Sequence, residues 1–200
     1  MKQMELILAS SSPRRKEILN NLGLSFRTIK PNDSAEPEVK SFSDAIIAAR
    51  AKAYDVLEQL SPEEIKEQPI IVGSDTIVVL GEKVLGKPKD KDHAFKILKL
   101  LSGQRHIVAT ALSMITVYGN KKNQNEAFSS IAKTEIVFRD LSDEEILSYI
   151  DSGEPMDKAG AYAIQGRGGN FVETIVGCYT NVIGLPVPLF MDQLSQIKSQ

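Results

Sequence analysis

The chain has 200 residues, and its 42% apolar and 25% charged residues match globular usage and exclude a disordered, coiled-coil or collagen-like chain. The formal charge of -2, from 24 basic and 26 acidic residues, argues against a broad nucleic-acid-binding surface but allows a local basic site. The one cysteine, Cys178, excludes an intrachain disulfide and a Cys-rich zinc site.

Length and hydropathy also bear on domain organisation and location. A chain of this size forms one domain, or two small lobes that share a core. No apolar run approaches the roughly 20 residues that span a bilayer, and residues 1–9 are too short and too mixed for a signal peptide. With the single cysteine, these features predict a cytoplasmic protein without a membrane partner.

The N-terminal segment alternates predicted strands and helices. The apolar run Leu6–Ala9 predicts a buried strand. Ser12 and Pro13 then predict the N-cap and first residue of a helix that ends near Gly23. A second strand is expected at 24–29, followed by a polar loop.

The rest of the chain continues the mixed pattern. Ser43 is expected to cap a long helix, because apolar residues follow it at helical spacing as far as Leu60. The further predictions, in chain order, are a helical turn after Ser61, strands at 70–72 and 76–80, a turn at 81–83, a helix at 90–101, long strands at 107–118 and 127–138, a helix opened by Ser142 and Glu145, a glycine-rich loop at 160–169, a strand at 171–176 and a last helix from Pro186. These elements predict an α/β (mixed α+β) fold with a mixed sheet, flanking helices and two lobes around a central cleft.

A first candidate site lies at residues 10–15, where the first strand turns into a helix with the sequence SSSPRR. The free N–H groups of a helix N-terminus attract anions, and the hydroxyls of Ser10 and Ser12 and the guanidinium groups of Arg14 and Arg15 are suited to phosphate oxygens. The alternative is that Ser12 only caps the helix and that the arginines are solvated.

Asp75 is a second candidate, because a carboxylate within an apolar segment is costly to bury unless it is paired or binds a metal. It could hold a divalent cation or act as a base on water. The alternative is an aspartate in a turn between two strands.

Three further candidates are less distinctive. Lys87 precedes a helix that Asp90 is expected to cap, so it is either a phosphate ligand or a solvated lysine. Lys52 lies on a helix of small residues, and the sequence is equally compatible with a contact between Lys52 and an anion and with a solvated side chain. Gln165 lies in the glycine-rich loop, where its amide suits a base edge, although the loop has neither a P-loop nor a dinucleotide pattern.

Together these stretches resemble the Maf family of nucleoside triphosphate pyrophosphatases. The resemblance runs over nearly the whole chain, through LASSSPRR at 8–15, AKA at 51–53, GSDT at 73–76, GKP at 86–88, DKAGAY at 157–162, QG at 165–166 and IGLP at 183–186. It implies a single catalytic domain over residues 1–200, with the elongated fold of Maf and ITPase proteins.

The resemblance also implies an activity and its residues. A nucleotide is cleaved between its α- and β-phosphates, with a divalent cation, Mg²⁺ or Mn²⁺, as cofactor. Asp75 corresponds to the proton acceptor and metal ligand, and Lys87 to a second catalytic residue. The expected ligands of the substrate are Ser10, Ser12, Arg14, Arg15, Lys52 and Lys158.

The branch of the family that acts on dTTP and UTP is similar to this sequence at Arg14, Thr76 and Gln165. A second acidic metal ligand is expected at Glu36, with Asp33 as the alternative. A homodimer is compatible with the sequence. The competing reading is a nucleotide-binding regulator of cell division without turnover; a nucleic-acid-binding module ranks last, because the chain lacks Trp and its aromatic residues are scattered.

Overall fold

A computed structural model describes residues 4–32, 37–118, 121–123 and 125–199. Within these ranges strands and α-helices follow in the order β1 (Leu6–Ala9), α1 (Pro13–Asn21), β2 (Phe26–Ile29), α2 (Phe42–Gln59), α3 (Pro62–Lys66), β3 (Ile70–Leu80), β4 (Lys83–Leu85), α4 (Lys91–Leu101), β5 (Arg105–Val117), β6 (Asn125–Phe138), α5 (Asp143–Asp151), β7 (Val172–Val176), α6 (Tyr179–Ile183) and α7 (Val187–Lys198). None of the helices in the described ranges is long and apolar enough to cross a bilayer.

The strands form one seven-stranded sheet in the order β2-β1-β3-β5-β6-β7, with β4 beside β3. β1 runs parallel to both β2 and β3, and Ala9 lies opposite Ile29 on one side and Gly73 on the other. β3 and β4 are antiparallel, as are β6 and β7. Parallel and antiparallel pairs together confirm the predicted mixed α/β class. The register places Ser10 and Ser74, which follow Ala9 and Gly73, at the same level of the sheet.

The chain divides into two compact units, the first of which comprises Met1–Asp75, Thr110–Ala132 and Gly184–Gln200. Its core packs one face of α2 on β1, β3 and β5 through fully buried side chains that include Ile7, Val56, Ile71 and Ile115. The helix and β3 approach each other closely at Gly73, where a Cβ atom would lie 2.1 Å from the carbonyl oxygen of Ala49. Glycine at this position therefore allows α2 to pack directly on the strand.

The second unit comprises Thr76–Ala109 and Lys133–Ile183. Apolar side chains of α4 and α5 form its core together with a chain of aromatic rings in edge-to-face contact. Phe138 is central among these rings, with centroids 4.7 Å from Tyr162 and 5.9 Å from Phe171, and Tyr149 packs on Phe171 at 4.9 Å. The assignment of residues 1–200 to a single domain stays a prediction.

Four local expectations are corrected. Ser41 rather than Ser43 is the N-cap of α2, and its side chain accepts from the N–H of Asp44. β3 is one continuous strand, because the backbone from Gly73, which still pairs with Ala9 of β1, to Asp75 stays extended instead of turning. β4 and α6 were not predicted, since elements of three and five residues are too short to show a period.

Candidate active site

Asp75 lies within β3 and forms an ion pair with Lys52 of α2. The ammonium group of Lys52 donates to Oδ1 of Asp75 at 2.7 Å, and the two side chains are only 11% and 16% exposed. Asp75 follows Gly73 by two residues and Lys52 follows Ala49 by three, so the pair forms beside the point where α2 packs closely on β3. The alternatives of a turn aspartate and a solvated lysine are therefore wrong. Oδ2 of Asp75 has no hydrogen-bond partner among the residues that the structure describes.

The turn after β1 is built around two oxygen atoms. The hydroxyl of Ser10, which is buried, accepts from the backbone N–H of Ser12 at 3.1 Å and from Nη1 of Arg15 at 3.2 Å. The carbonyl oxygen of Gly184 accepts from Nε of Arg15 at 2.8 Å and from the hydroxyl of Ser74 at 3.0 Å. Arg15 is thus held in place by the protein, and the alternative of a solvated side chain is wrong for it.

Two hydrogen-bonded groups, one of Lys52 with Asp75 and one of Ser10, Arg15, Ser74 and Gly184, are joined through the chain at Ser74 and Asp75, and we call them together the Asp75 cluster. Its members are Ser10, Arg15, Lys52, Ser74, Asp75 and Gly184. Serine hydroxyls, two cationic side chains and one carboxylate thus lie near the level of the sheet where β1 ends.

The N-terminus of α1 adjoins this cluster. Ser12 occupies the N-cap position as predicted, but its side chain makes no capping hydrogen bond, and the first turn contains no acidic residue. Arg14 is half-buried on the same turn and makes no hydrogen bond to the described part of the chain. The hydroxyl of Ser12, the guanidinium group of Arg14 and the first N–H groups of the helix together suit a phosphate group.

The second unit brings Lys87 and Lys158 into neighbouring turns. The N–H of Gly160 donates to the carbonyl of Gly86 at 3.1 Å, which joins the two segments. Lys87 is exposed, whereas the side chain of Lys158 is 14% exposed and pairs with the carboxylate of Asp157. Asp90 caps α4 as predicted, by accepting from the N–H of His93 at 2.7 Å.

Gln165 and Thr76 also belong to the second unit, and both are half-buried. Thr76 directly follows Asp75 within β3. Gln165 lies in residues 163–168, which we call the Gln165 loop; this segment is irregular as far as Gly166 and enters a 3₁₀ helix at Arg167. Two residues missed by the sequence analysis hold this loop: Glu154 accepts from its backbone N–H groups, and so does Tyr149. Nothing in one sequence separates Glu154 from a solvated loop glutamate.

His106 is buried in the aromatic core and is not a ligand. Its Nε2 lies 2.9 Å from the hydroxyl of Tyr162, and its ring meets Phe138 edge-on. Burial lowers the pKa of His106 to about 4, against a weaker raising effect of the Gln104 backbone. The imidazole is therefore neutral at pH 7 and packs as a member of the aromatic core.

The expected second acidic ligand, Glu36 or its alternative Asp33, lies outside the described residues. Within the described ranges no group of three His, Cys, Asp or Glu side chains could hold a metal ion. The described donor set is the single carboxylate of Asp75, one oxygen of which faces Lys52. One carboxylate with phosphate oxygens of a substrate fits Mg²⁺, which rarely uses an all-protein cage.

Comparisons with known proteins extend over the same length of chain. The profile of the family described as Maf-like protein matches residues 5–197. A dTTP/UTP pyrophosphatase of Thermoanaerobacter sp. (strain X514) is 44% identical over 194 residues, 96% of each chain. One from Thermococcus kodakarensis is 42% identical over 92% of each chain, and one from Clostridium botulinum (strain Alaska E43 / Type E3) is 46% identical over 92% of this chain and 94% of its own.

Among solved structures, a HAM1 protein from Coxiella burnetii is similar at a TM-score of 0.45 and 14% identity, over 98% of this chain and 99% of its own. That likeness is too distant to bear on function. The family match and the relatives, which cover nearly the full length on both sides, are decisive. The chain belongs to the Maf family.

Proposed function

We propose that the chain hydrolyses nucleoside triphosphates, preferentially dTTP and UTP, to the monophosphate and pyrophosphate. Full-length relatives named dTTP/UTP pyrophosphatase, at 41–46% identity, support this activity. The observation that carries the proposal is the Asp75–Lys52 pair; Ser74, which directly precedes Asp75, shares the carbonyl of Gly184 with Arg15 of the turn suited to phosphate. Phosphoryl transfer depends mainly on positioning and charge stabilisation, and such a group supplies both.

Asp75 is the proposed general base. A water molecule loses its proton to Oδ2 of Asp75 and attacks the α-phosphorus. The new bond joins the water oxygen to the α-phosphorus, and the bond from that phosphorus to the bridging oxygen breaks, so that pyrophosphate leaves. Lys52 binds Oδ1, so Oδ2 is the oxygen that is left to accept the proton.

The substrate phosphates are the proposed ligands of Ser12, Arg14 and the first N–H groups of α1. Arg15 and Ser10 support this turn, because their polar atoms already bond to one another and to Gly184. Lys87 and Lys158 are the proposed cations for the charge that develops on the departing pyrophosphate. At the turn, this division assigns direct contact to the side chains of Ser12 and Arg14, which make no hydrogen bond within the described residues.

A divalent cation, Mg²⁺ or Mn²⁺, is the proposed cofactor, with Asp75 as its described ligand and Glu36 as the second one. Such an ion polarises phosphoryl oxygens and lowers the pKa of bound water.

Arg14, Thr76 and Gln165 are the proposed determinants of base preference. A cytoplasmic location and a homodimer stay predictions.

The test is a nucleotide panel with product identification. In Mg²⁺ or Mn²⁺, dTTP and UTP should yield monophosphate and pyrophosphate faster than dATP or GTP does. In water labelled with ¹⁸O, the label should enter the monophosphate, because attack is at the α-phosphorus. Release of inorganic phosphate, or label in pyrophosphate, would contradict the cleavage site. Binding of UTP without turnover would favour the non-catalytic regulator instead.

A further inference from the structure

The Gln165 loop is held by the buried phenol of Tyr149 and the half-buried carboxylate of Glu154. The hydroxyl of Tyr149, a residue only 1% exposed, donates to Oε1 of Glu154 at 3.0 Å and accepts from the N–H of Ala163 at 3.2 Å. Glu154 in turn accepts from the N–H of Gly168 at Oε1 and from the N–H of Arg167 at Oε2, both at 3.1 Å. One pair of side chains thus binds three backbone N–H groups of a single loop.

Gln165 lies between these attachment points. It follows Ala163 by two residues and precedes Arg167 by two. The loop also approaches the pair closely, because a Cβ atom at Gly166 would lie 2.9 Å from the carboxylate of Glu154 and one at Gly168 2.7 Å from the hydroxyl of Tyr149. Gly166 has a φ of 104°, which L side chains rarely adopt. Gln165 itself lies outside any helix or strand, and Tyr149 and Glu154 hold the backbone on either side of it.

We propose that Glu154 and Tyr149 are positioning residues for base recognition and set the preference of the enzyme through Gln165. The inference rests on the proposed function, in which Gln165 reads the edge of the base. An amide distinguishes one base edge from another only where its donor and acceptor are held in place, since a mobile amide turns to suit either edge. Neither Glu154 nor Tyr149 contacts the reacting atoms in this assignment.

Two substitutions test the pair. Tyr149→Phe removes the hydroxyl and leaves the N–H of Ala163 without its acceptor. Glu154→Gln keeps one oxygen but turns an amide donor toward the N–H of Arg167 or Gly168. For each variant, the ratio of kcat/KM for UTP to that for CTP should fall about tenfold, as expected when a hydrogen-bonding site loses its geometry. KM for UTP should account for most of the change, with kcat little altered.

Ser148→Ala is the matched control. The hydroxyl of Ser148 accepts from Nη2 of Arg167 at 3.0 Å, so it touches the same loop through a side chain and not through the backbone. This variant should keep the wild-type UTP:CTP ratio. If the UTP:CTP ratio falls in Ser148→Ala as well, then any change near the loop has the same effect. That result would contradict the assignment of Glu154 and Tyr149 as positioning residues.

A double-mutant cycle separates positioning through Gln165 from a general structural role. If Glu154 acts through Gln165, then Glu154→Gln should not change the UTP:CTP ratio further in a Gln165→Ala background. Folded variants that keep the wild-type ratio, or that lose activity equally on all nucleotides, would overturn the inference. If Tyr149→Phe does not fold, the Glu154→Gln cycle decides alone. Failure of the proposed function can be told apart from failure of this inference, because the wild-type protein would then release no pyrophosphate from UTP.

Discussion

The Asp75 cluster and the Gln165 loop fix polar side chains in different ways. In the cluster, the functional groups stand on β3, α1 and α2, and they bind one another, as in the pair of Asp75 with Lys52. In the loop, the backbone is irregular, and Glu154 and Tyr149 bind its N–H groups. Regular elements fix the backbone through their own hydrogen bonds, whereas an irregular loop needs dedicated buried acceptors. Substitutions in the cluster should therefore lower turnover, whereas substitutions around the loop should lower the selectivity between bases.

The largest expected effect follows from the loss of the base in the cluster. Asp75→Asn keeps the shape of the side chain and one oxygen toward Lys52 but cannot accept the proton. Turnover of UTP should fall about 10²- to 10⁴-fold, the usual contribution of a general base. The UTP:CTP ratio should change little, because the amide in the Gln165 loop is untouched. Steady-state pyrophosphate release measures both quantities.

Asp151→Asn is the control for this change. Asp151 forms an exposed ion pair with Lys91, and pairs of this kind contribute little to stability. The Asp151→Asn variant should therefore turn over UTP at the wild-type rate. Wild-type turnover in Asp75→Asn, with circular dichroism showing a folded protein, would remove Asp75 from the mechanism.

A second prediction concerns the aromatic core of the unit that carries the Gln165 loop. The pKa of His106 is about 4 in the folded protein, below the unfolded value of about 6.5, so the unfolded state binds the proton first. The stability contributed by this group is complete above about pH 6.5 and is lost as the pH falls toward 4. The free energy of unfolding should fall by about 3 kcal/mol over this range, because each unit of pKa difference corresponds to about 1.4 kcal/mol.

Urea denaturation between pH 7 and pH 4 measures this loss. His106→Gln removes the titrating group but keeps a polar atom near the hydroxyl of Tyr162. The variant should be less stable at pH 7 but should show a shallower decline on acidification. Parallel pH profiles of the two proteins would contradict the assignment of the decline to His106.

Local patterns predicted most of the elements but only part of the site. Ser142 and Glu145 form the expected capping box, because both partners lie within one helical turn. The bond from Arg15 to Gly184 joins residues 169 positions apart, and no local period reports such a contact. Asp75 was singled out because burying a carboxylate in an apolar run is costly, whereas Glu154, between glycine and proline, shows no such contrast.

A third prediction tests how the cluster is brought together. In Gly73→Ala, the new methyl group would meet the carbonyl of Ala49 at 2.1 Å, so α2 must shift away from β3. Overpacking of this kind costs about 1–3 kcal/mol of unfolding free energy. Because Lys52 is on α2, turnover should also fall. In Gly86→Ala, the matched control from the other unit, a Cβ atom meets nothing within 4 Å, and the unfolding free energy should be nearly unchanged.

The smallest expected effect distinguishes two serines at helix N-termini in the same unit. Ser41 caps α2 through a bond from the N–H of Asp44 at 3.1 Å, so Ser41→Ala should cost about 1 kcal/mol of unfolding free energy. The hydroxyl of Ser12 makes no capping bond at α1, so Ser12→Ala should cost clearly less, about 0.3 kcal/mol or under. If the hydroxyl of Ser12 instead serves the substrate, Ser12→Ala should raise KM for UTP severalfold while Ser41→Ala leaves it unchanged. Equal losses of unfolding free energy in the two variants, with unchanged KM values, would show that Ser12 acts only as a helix cap. The proposed phosphate ligands at this turn would then be Arg14 and the N–H groups of the helix.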